Sequence, residues 1–561
     1  MREKITAERI PLDRLGWARQ TIAAFAASDL GKHAVRHSIS LVARMLGISA
    51  MNVANSYVGR DFMTSIEQHD QSRFAWTALI YVGVFSISTL LAVLFRFCEE
   101  RLGLLWRQWL TRALVLDYLG IATPYRLREA GEIDNPDQRI ADDVRTFTTS
   151  TLSFVLMVLN GTITIIAFSG VLWSITPVLF FATVAYAAVG SVATVWLGRP
   201  LIGLSFTQSD REASFRADLV HVRANAESVA LLRREGRLRT RLLRRVDALT
   251  ANARRMIGVN RNVSFFTTGY NYLIQIIPAL IVGPLFMRGQ SEFGVITQSA
   301  MAFSHLIGAF SLIVTQFQSI SSYAAVLTRL RSLSEGLHRA ASHAPIEIVA
   351  EKDGPVACES LTLRSPGDGR VLISNLDVAI PCGTRVLVAG ENHAAKVALF
   401  RATAGVWSSG EGRIRLPSPD HILFVAERPY LPPGTLREAL LRTGEEIDHS
   451  DERILQVLAS LGLEVVVERD WDDLLALGEQ QRVVIARMVL AEPRFGVLHR
   501  IDTTLSPEQV ARTLRLLAAA SITPIVFGDR DDGGGFYDAL LELHADGSWT
   551  FTPVIPDSTD D

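Results

Sequence analysis

Cysteine is scarce: Cys98, Cys358 and Cys382 are the only three in 561 residues. Their wide separation fits neither a disulfide framework nor the paired spacing of a zinc site, so three packed thiols are expected. An excess of charge is also missing. Lys and Arg number 56 against 58 Asp and Glu, a formal net charge of -2, which gives no reason to expect a nucleic-acid partner. The amino-terminal stretch MREKITAERIPLDRLGWARQ lacks the early apolar core of a cleavable signal peptide. No internal repeat is visible. The most informative absence is local: long stretches before residue 335 have almost no charge in their interiors.

What fills those stretches is apolar. Hydrophobic residues make up 48% of the chain, and its mean hydropathy is +0.23. Six runs stand out, at about 38–58, 75–97, 152–174, 176–198, 264–288 and 294–320. Each is long enough to cross a hydrocarbon core as a helix, which takes about 20 residues. The run TPVLFFATVAYAAVGSVATVWLG is the clearest. The sixth, with His305, Gln316 and Gln318, is the most polar and suits a helix facing a central cavity. Arg is concentrated in the amino-terminal segment and in 99–150 and 199–262, while 59–73, 175–176 and 289–293 carry little. By the positive-inside rule, both termini and the two long connections are expected in the cytoplasm. Both connections keep helical apolar spacing, so the membrane helices are expected to continue well past the bilayer.

From about residue 345 the pattern changes. Short strand-like runs (RVLVAG, HILFVA, RFGVLH, TPIVFG) alternate with helical segments, as in an α/β domain with a mostly parallel sheet. The expected boundaries are a cytoplasmic segment 1–37, a membrane domain 38–335, a linker 336–350, an α/β domain 351–549 and an acidic tail 550–561.

One stretch of the α/β domain carries chemistry: LVAGENHAAKVALF. A strand, a Gly, a short loop, a Lys and an apolar helix are the layout of a phosphate-binding loop, G-x-x-x-x-G-K-[ST]. Gly390 and Lys396 match. Glu391, Asn392, His393 and Ala394 form the loop; Ala395 replaces a glycine, and Val397 replaces the hydroxyl that would hold a cation.

Further along comes LLALGEQQRVVIARMVLAEPRFGVLHRIDTTLSPE, from Leu474 to Glu508. This resembles the signature motif and Walker B region of ABC transporter ATPase domains. The run Leu475, Ala476, Leu477, Gly478, Glu479, Gln480, Gln481, Arg482 is similar to the L-S-x-G-E-Q-Q-R form of the subfamily that includes peroxisomal fatty-acyl transporters (subfamily D) and bacterial SbmA/BacA-type proteins. ERPYLPPGTLREALL resembles that subfamily's Q-loop region, and GEIDNPDQRIADDV and ANAESVALLRREG its cytoplasmic helix extensions. The resemblance implies a multi-domain membrane protein: six helices in the type 1 exporter arrangement fused to one P-loop ATPase domain. It also implies a dimer in which two ATP molecules lie between one chain's P-loop and the other's signature. It places the protein as a multi-pass component of a bacterial inner (plasma) membrane, in contact with lipid.

The family's chemistry and these residues then diverge. Where the family has an Asp for Mg²⁺ and a Glu that activates water, this chain has His499 and Arg500. Glu427 replaces the Q-loop Gln, Asp529 the switch His, Ser506 the D-loop Asp and Ala476 the signature Ser. No aromatic residue to stack on adenine stands out in SLTLRSPGDGRVL. Phosphoryl transfer rests on positioning and on cations. Losing one preorganised group costs about 10²- to 10³-fold in rate, though such losses do not simply multiply. The chain's own site is therefore expected not to hydrolyse ATP, while ATP itself can still meet Lys396 and helix amides. His393 and His499 lie on separate loops without ligand companions, and no metal site is expected.

The signature is spared where the rest is lost, and in the dimer it serves the partner's nucleotide. This points to a heterodimer with an intact second half-transporter, moving a peptide or fatty-acyl-like load by alternating access. The alternative cause is folding, since the signature also starts a helix of the core. Two other functions stay open: a proton-driven transporter with a vestigial ATPase domain, and a regulatory or assembly subunit. No Asp or Glu lies inside any of the six runs, which disfavours a proton relay. Arg44, Asn52, Asn55, Asn160, Asn271 and Gln275 are candidates to line a path, with interhelical hydrogen bonding the commoner role. Arg96 is expected to mark a helix end, and Pro278 to kink the fifth membrane helix.

Overall fold

The computed structural model describes residues 14–120, 123–131, 133, 135–233, 235–312, 316–342, 346–432, 434–441, 449–463, 475–529 and 535–554. Residues 1–13 of the amino-terminal segment, 555–561 of the acidic tail and the side chain of Gln318 lie outside the described residues. The chain divides into two units, Met1–Leu116 with Asp134–Glu335 and Asp117–Ile133 with Gly336–Asp561. Residues 117–133, expected within the membrane domain, thus group with the second unit. The expected linker 336–350 is ordered in large part, as the end of one helix and most of a strand.

The first unit is helical: α1 (Arg14–Ala27), α2 (Gly31–Glu67) and α3 (Gln71–Tyr118), then, beyond α4 of the second unit (Thr123–Ala130), α5 (Pro136–Ile175), α6 (Pro177–Ala224), α7 (Ala226–Leu232), α8 (Glu235–Met287), α9 (Gly294–Phe310) and α10 (Phe317–Ser342). The first five apolar runs fall on these helices, and the sixth lies largely on two of them among the described residues. Among the described residues four of them, α3, α5, α6 and α8, are long and apolar enough to cross a membrane. α2 carries Arg44, Asn52 and Asn55 within its run, and the sixth run is split between α9 and α10, so neither meets that measure. Outward apolar side chains such as Val192 and Trp196, 71% and 75% exposed, suit hydrocarbon rather than water. Helix α8 runs on through Pro278 and Pro284.

Inside this unit Phe168, Leu172, Leu179, Val282, Phe303 and Leu306 form a buried cluster. Beside it Tyr186 and Tyr270 tie α6 to α8 reciprocally. The Tyr186 hydroxyl donates to the Tyr270 carbonyl at 2.6 Å, and the Tyr270 hydroxyl to the Tyr186 carbonyl at 3.0 Å. Their rings stack at 4.2 Å. Near the start of α5 a π-helical turn, Arg139–Asp143, aims the buried Asp143 carboxylate at α10. There it accepts two bonds of 2.7 Å from Arg329, a bidentate geometry. Arg44 reaches Ser40 and lies 3.0 Å from Cys98 Sγ. Arg96 pairs on the surface with Glu100 at 3.2 Å. Asn160, Asn271 and Gln275 are exposed on their helices.

The second unit holds two sheets. Strands β1 (Glu347–Glu351), β2 (Val356–Arg364), β3 (Val371–Ile380) and β5 (Gly410–Pro417) form one, in the order β1-β5-β2-β3. The other contains β4 (Val386–Ala389), β6 (Ile422–Val425), β7 (Phe495–His499), β8 (Thr523–Phe527), β9 (Ala539–Leu543) and β10 (Trp549–Pro553), in the order β10-β9-β4-β8-β7-β6. All its pairings are parallel except that of β10 at the edge. Its central strands are continuous apolar runs such as VLVA and TPIVF, buried along their whole length because helices cover both faces. Those helices are α11 (His393–Thr403), α12 (Leu436–Leu440), α13 (Asp451–Ser460), α14 (Leu477–Ala491) and α15 (Pro507–Ala519). Helix α4 packs within this unit: Arg126 donates to the carbonyls of Ala340 at 2.8 Å and Gly405 at 3.4 Å, and Arg401 lies over the Tyr125 ring.

Candidate functional site

Parallel strands β4, β8 and β7 lie side by side, with Val386 opposite Ile525 and Ile525 opposite Val497. Their carboxyl ends therefore emerge together, where open α/β sheets bind ligands. Three short segments leave those ends: Gly390 to Val397 after β4, Gly528 and Asp529 after β8, and Arg500 after β7. Backbone bonds hold them in register, from Gly528 N–H to the Val388 carbonyl at 3.2 Å and from Arg500 N–H to the Phe527 carbonyl at 2.8 Å.

Gly390 has φ +126°, and a Cβ there would stand 2.1 Å from the Leu543 carbonyl oxygen of β9. Only glycine fits, whatever the loop binds. Helix α11 begins at His393, inside what a P-loop leaves open. His393 and Ala395 are better helix formers than glycine, which extends the helix toward β4. Asn392 becomes its N-cap. The Asn392 Oδ1 accepts from the Ala395 N–H at 3.1 Å, and the Asn392 carbonyl accepts from the Lys396 N–H at 3.1 Å. Its Nδ2 donates to the carbonyls of Leu372 at 3.4 Å and His544 at 3.3 Å. Glu391, His393 and Ala394 are exposed, Val397 is half-buried and Ala395 is buried.

The Lys396 side chain is 3% exposed; its Nζ donates to the Gly528 carbonyl at 3.1 Å and the Asp529 carboxylate at 2.9 Å. That hydrogen bond holds the Asp529 carboxyl below its usual range. His499 ends β7 and stacks on Phe400 of α11 at 4.8 Å. Burial pushes its imidazole down to about 4, with only Glu427 pulling the other way. The ring is therefore neutral at pH 7, and its Nε2 finds no partner among the described residues. Arg500 takes a left-handed conformation, φ 50° and ψ 50°, and its guanidinium lies 3.9 Å from Glu427. The structure thus brings the four candidate positions Glu427, His499, Arg500 and Asp529 to one place with Lys396.

The signature residues open α14. Ala476 and Leu477 are exposed, while Leu475, Gly478, Glu479 and Gln480 are half-buried. Most have work inside this chain. Glu479 accepts from the Ala476 N–H at 2.9 Å, and Gln480 donates to the Leu475 carbonyl at 3.0 Å. The buried Gln481 donates to the Glu427 carbonyl at 2.8 Å and meets the Thr504 hydroxyl. Arg482 donates to the carbonyls of Leu461 at 3.2 Å and Gly462 at 2.8 Å. A Cβ on Gly478 would lie 2.9 Å from the Thr504 carbonyl oxygen. Folding alone therefore accounts for Gly478, Gln481 and Arg482, and only Ala476 and Leu477 present side chains outward with no such role.

A P-loop layout at these strand ends would take a nucleotide, typically with Mg²⁺. The donor set here does not fit the cation. Val397 has no oxygen, the His499 ring is neutral, and Arg500 adds a positive charge beside it. Among the described residues no group of three His, Cys, Asp or Glu stands at metal-binding distance. Sequence reasoning placed these positions but missed their pairing; the complementary signs of Lys396 with Asp529 and of Arg500 with Glu427 were the available signal. It also missed the Asn392 cap, for which an Asn one residue before a Gly-free helix start was the sign.

Residues 28–287 match the family of ABC transporter transmembrane region 2, and residues 373–498 match the ABC transporter family. The chain is similar to ABC transporter D family member 2, chloroplastic, of Arabidopsis thaliana, 33% identical over 581 residues that cover 90% of this chain and 82% of that protein. The inner membrane ABC transporter ATP-binding protein YddA of Escherichia coli is 25% identical, over 85% of this chain and 88% of its own. The lysosomal cobalamin transporter ABCD4 of Mus musculus is also 25% identical, over 86% of this chain and 87% of its own. With a membrane region of several apolar helices and a P-loop ATPase domain in one chain, it belongs to the ABC transporter family and is homologous to the family's subfamily D.

Proposed function

We propose that this ABC half-transporter works as the catalytically degenerate subunit of a heterodimer that moves its load by alternating access. The observation that carries this reading is the charge pattern at the ends of β4, β7 and β8. Arg500 lies where a water-activating carboxylate is needed, and Lys396 is already paired with Asp529 at 2.9 Å. A partner with a full P-loop and Walker B would supply the working site, completed by the exposed Ala476 and Leu477 of this chain. The resemblance to peroxisomal fatty-acyl transporters favours a fatty-acyl or peptide load; the cobalamin named for one relative extends that range to other amphiphilic compounds. The six apolar runs would form six spans in a bacterial inner membrane, with both termini on the cytoplasmic side.

The test is isolation of this chain from its native membranes in mild detergent, followed by the intact mass and ATP turnover of the complex. A one-to-one complex with a second half-transporter is expected, and turnover should vanish when the partner's Walker B is disabled. A homodimer that hydrolyses ATP would overturn the reading.

A further inference from the structure

We propose that the phosphate position of this domain is occupied by the chain itself: the Asp529 carboxylate and the Asn392 amide oxygen take up the donors that a P-loop turns toward a nucleotide. The inference rests on the reading that this chain's own site is degenerate, and it goes further by naming what fills it.

A P-loop holds phosphate with free N–H groups at a helix start and one ammonium. Three donors of this stretch are committed here. The Ala395 N–H goes to Asn392 Oδ1 at 3.1 Å, the Lys396 N–H to the Asn392 carbonyl at 3.1 Å, and the Lys396 Nζ to Asp529 at 2.9 Å. The occupants are themselves anchored. Asn392 is fixed by its Nδ2 to the carbonyls of Leu372 and His544. Asp529 follows Gly528, whose N–H is bonded to the Val388 carbonyl of β4.

The charges agree with the geometry. Lys396 and Arg500 face Asp529 and Glu427, two cations against two anions, in pairs 2.9 Å and 3.9 Å apart. A nucleotide arriving without Mg²⁺ brings negative charge to cations that are already paired, and it must displace a carboxylate from a buried ammonium. The site is closed by substitution of like for like: a carboxylate stands where a phosphate oxygen would be, and an amide oxygen where another would be. Such an occupant lets the domain keep its fold, and present its signature, without a nucleotide of its own.

The experiment uses the full chain in its native membrane complex, photolabelled with 8-azido-ATP, with label read on this chain's own band. Three forms are compared: the natural chain, Asp529→Asn, and Asp529→Asn combined with Asn392→Gly. Size-exclusion elution of the complex reports that each is assembled. The expected result is label on the Asp529→Asn chain at least tenfold above the natural chain, and more again with the second substitution. Equal labelling of all three, with turnover still confined to the partner, would overturn the self-occupied site and leave the degenerate-subunit reading standing. Turnover by this chain beside a disabled partner would overturn that reading instead. Absence of label on both assembled variants would also overturn the inference, since freeing the donors would not have opened the site.

Discussion

The Lys396 ammonium lies 2.9 Å from the Asp529 carboxylate although the lysine side chain is only 3% exposed and the aspartate 59% exposed. A cation so deep is stable only because a partner reaches down to it from the rim. In a working P-loop a phosphate would do this.

Substituting Lys396→Met tests that account through stability. Removing one partner of an ion pair is costly where the remaining charge stays buried, but the Asp529 carboxylate is 59% exposed and is left in water. The folding stability of the Lys396→Met chain is therefore expected to stay within about 1 kcal/mol of the natural chain or to rise. Asp529→Ala leaves the ammonium with one carbonyl and is expected to lower it. Thermal melts of the two variants side by side give the order, and the reverse order would remove the pairing as a stabilising contact.

His499 sets a pH dependence. Its ring is pushed from an ordinary 6.5 down to about 4 by burial. Between those values the unfolded chain binds a proton that the folded domain does not, so folding stability rises with pH across the window. The contribution is complete above about 6.5 and is lost as the pH falls toward 4, amounting to at most about 3 kcal/mol. His499→Phe fits between Phe400 and Phe527 and should flatten the profile from pH 4 to 6.5, with little change at pH 7.5. Denaturant midpoints at those pH values measure it.

Much of the fold was legible because it is written in long patterns. Five apolar runs and most of the sixth fall on helices among the described residues, and RVLVAG, HILFVA, RFGVLH and TPIVFG give β4, β6, β7 and β8. Residues 117–133 lie within a connection whose helical spacing reads as an extension of the membrane helices, yet they group with the second unit, with contacts such as Arg126 to Gly405. No periodicity records a contact between residues so distant in sequence. The site was legible as a set of positions and not as a set of bonds. Lys396 and Asp529 are separated by 133 residues, and only the parallel pairing of β4 with β8 brings them together. The signature allowed two readings, service to a partner and folding, and only the structure shows that Gln481 and Arg482 are also bonded within this chain.

Ala476 offers a direct gain. It is the N-cap of α14, with extended dihedrals of φ −60° and ψ 152°, and has no side-chain oxygen to accept from the first turn. Ala476→Ser supplies that oxygen at a position already in capping geometry. The expected change is a stabilisation of about 1 kcal/mol, read as a raised denaturant midpoint. No gain would mean that the helix start is held by Glu479 alone.

Gly190 tests the packing of α6 on α8. A Cβ there would lie 2.2 Å from the Tyr270 ring, closer than any rotamer adjustment of the stacked pair allows while both hydroxyl bonds persist. Gly190→Ala is expected to destabilise the membrane unit by about 1–3 kcal/mol. Tyr270→Ala removes the clash and should make the second substitution nearly free. Detergent melts of the two single variants and the double variant close the cycle; additive losses would place the strain elsewhere.

The hydrolysis prediction concerns Val397. A hydroxyl there restores one cation ligand and nothing else. On the proposed reading His499 still presents a neutral ring at the cation position, Arg500 still places a positive charge where water must be activated, and Asp529 still holds Lys396. Groups that act as a unit do not recover one at a time. The Val397→Ser chain, assembled with a partner whose Walker B is disabled, should therefore show no Mg²⁺-dependent phosphate release above background. Measurable turnover in that single variant would mean that one missing oxygen, and not the reversed charge pattern, is what silences the site.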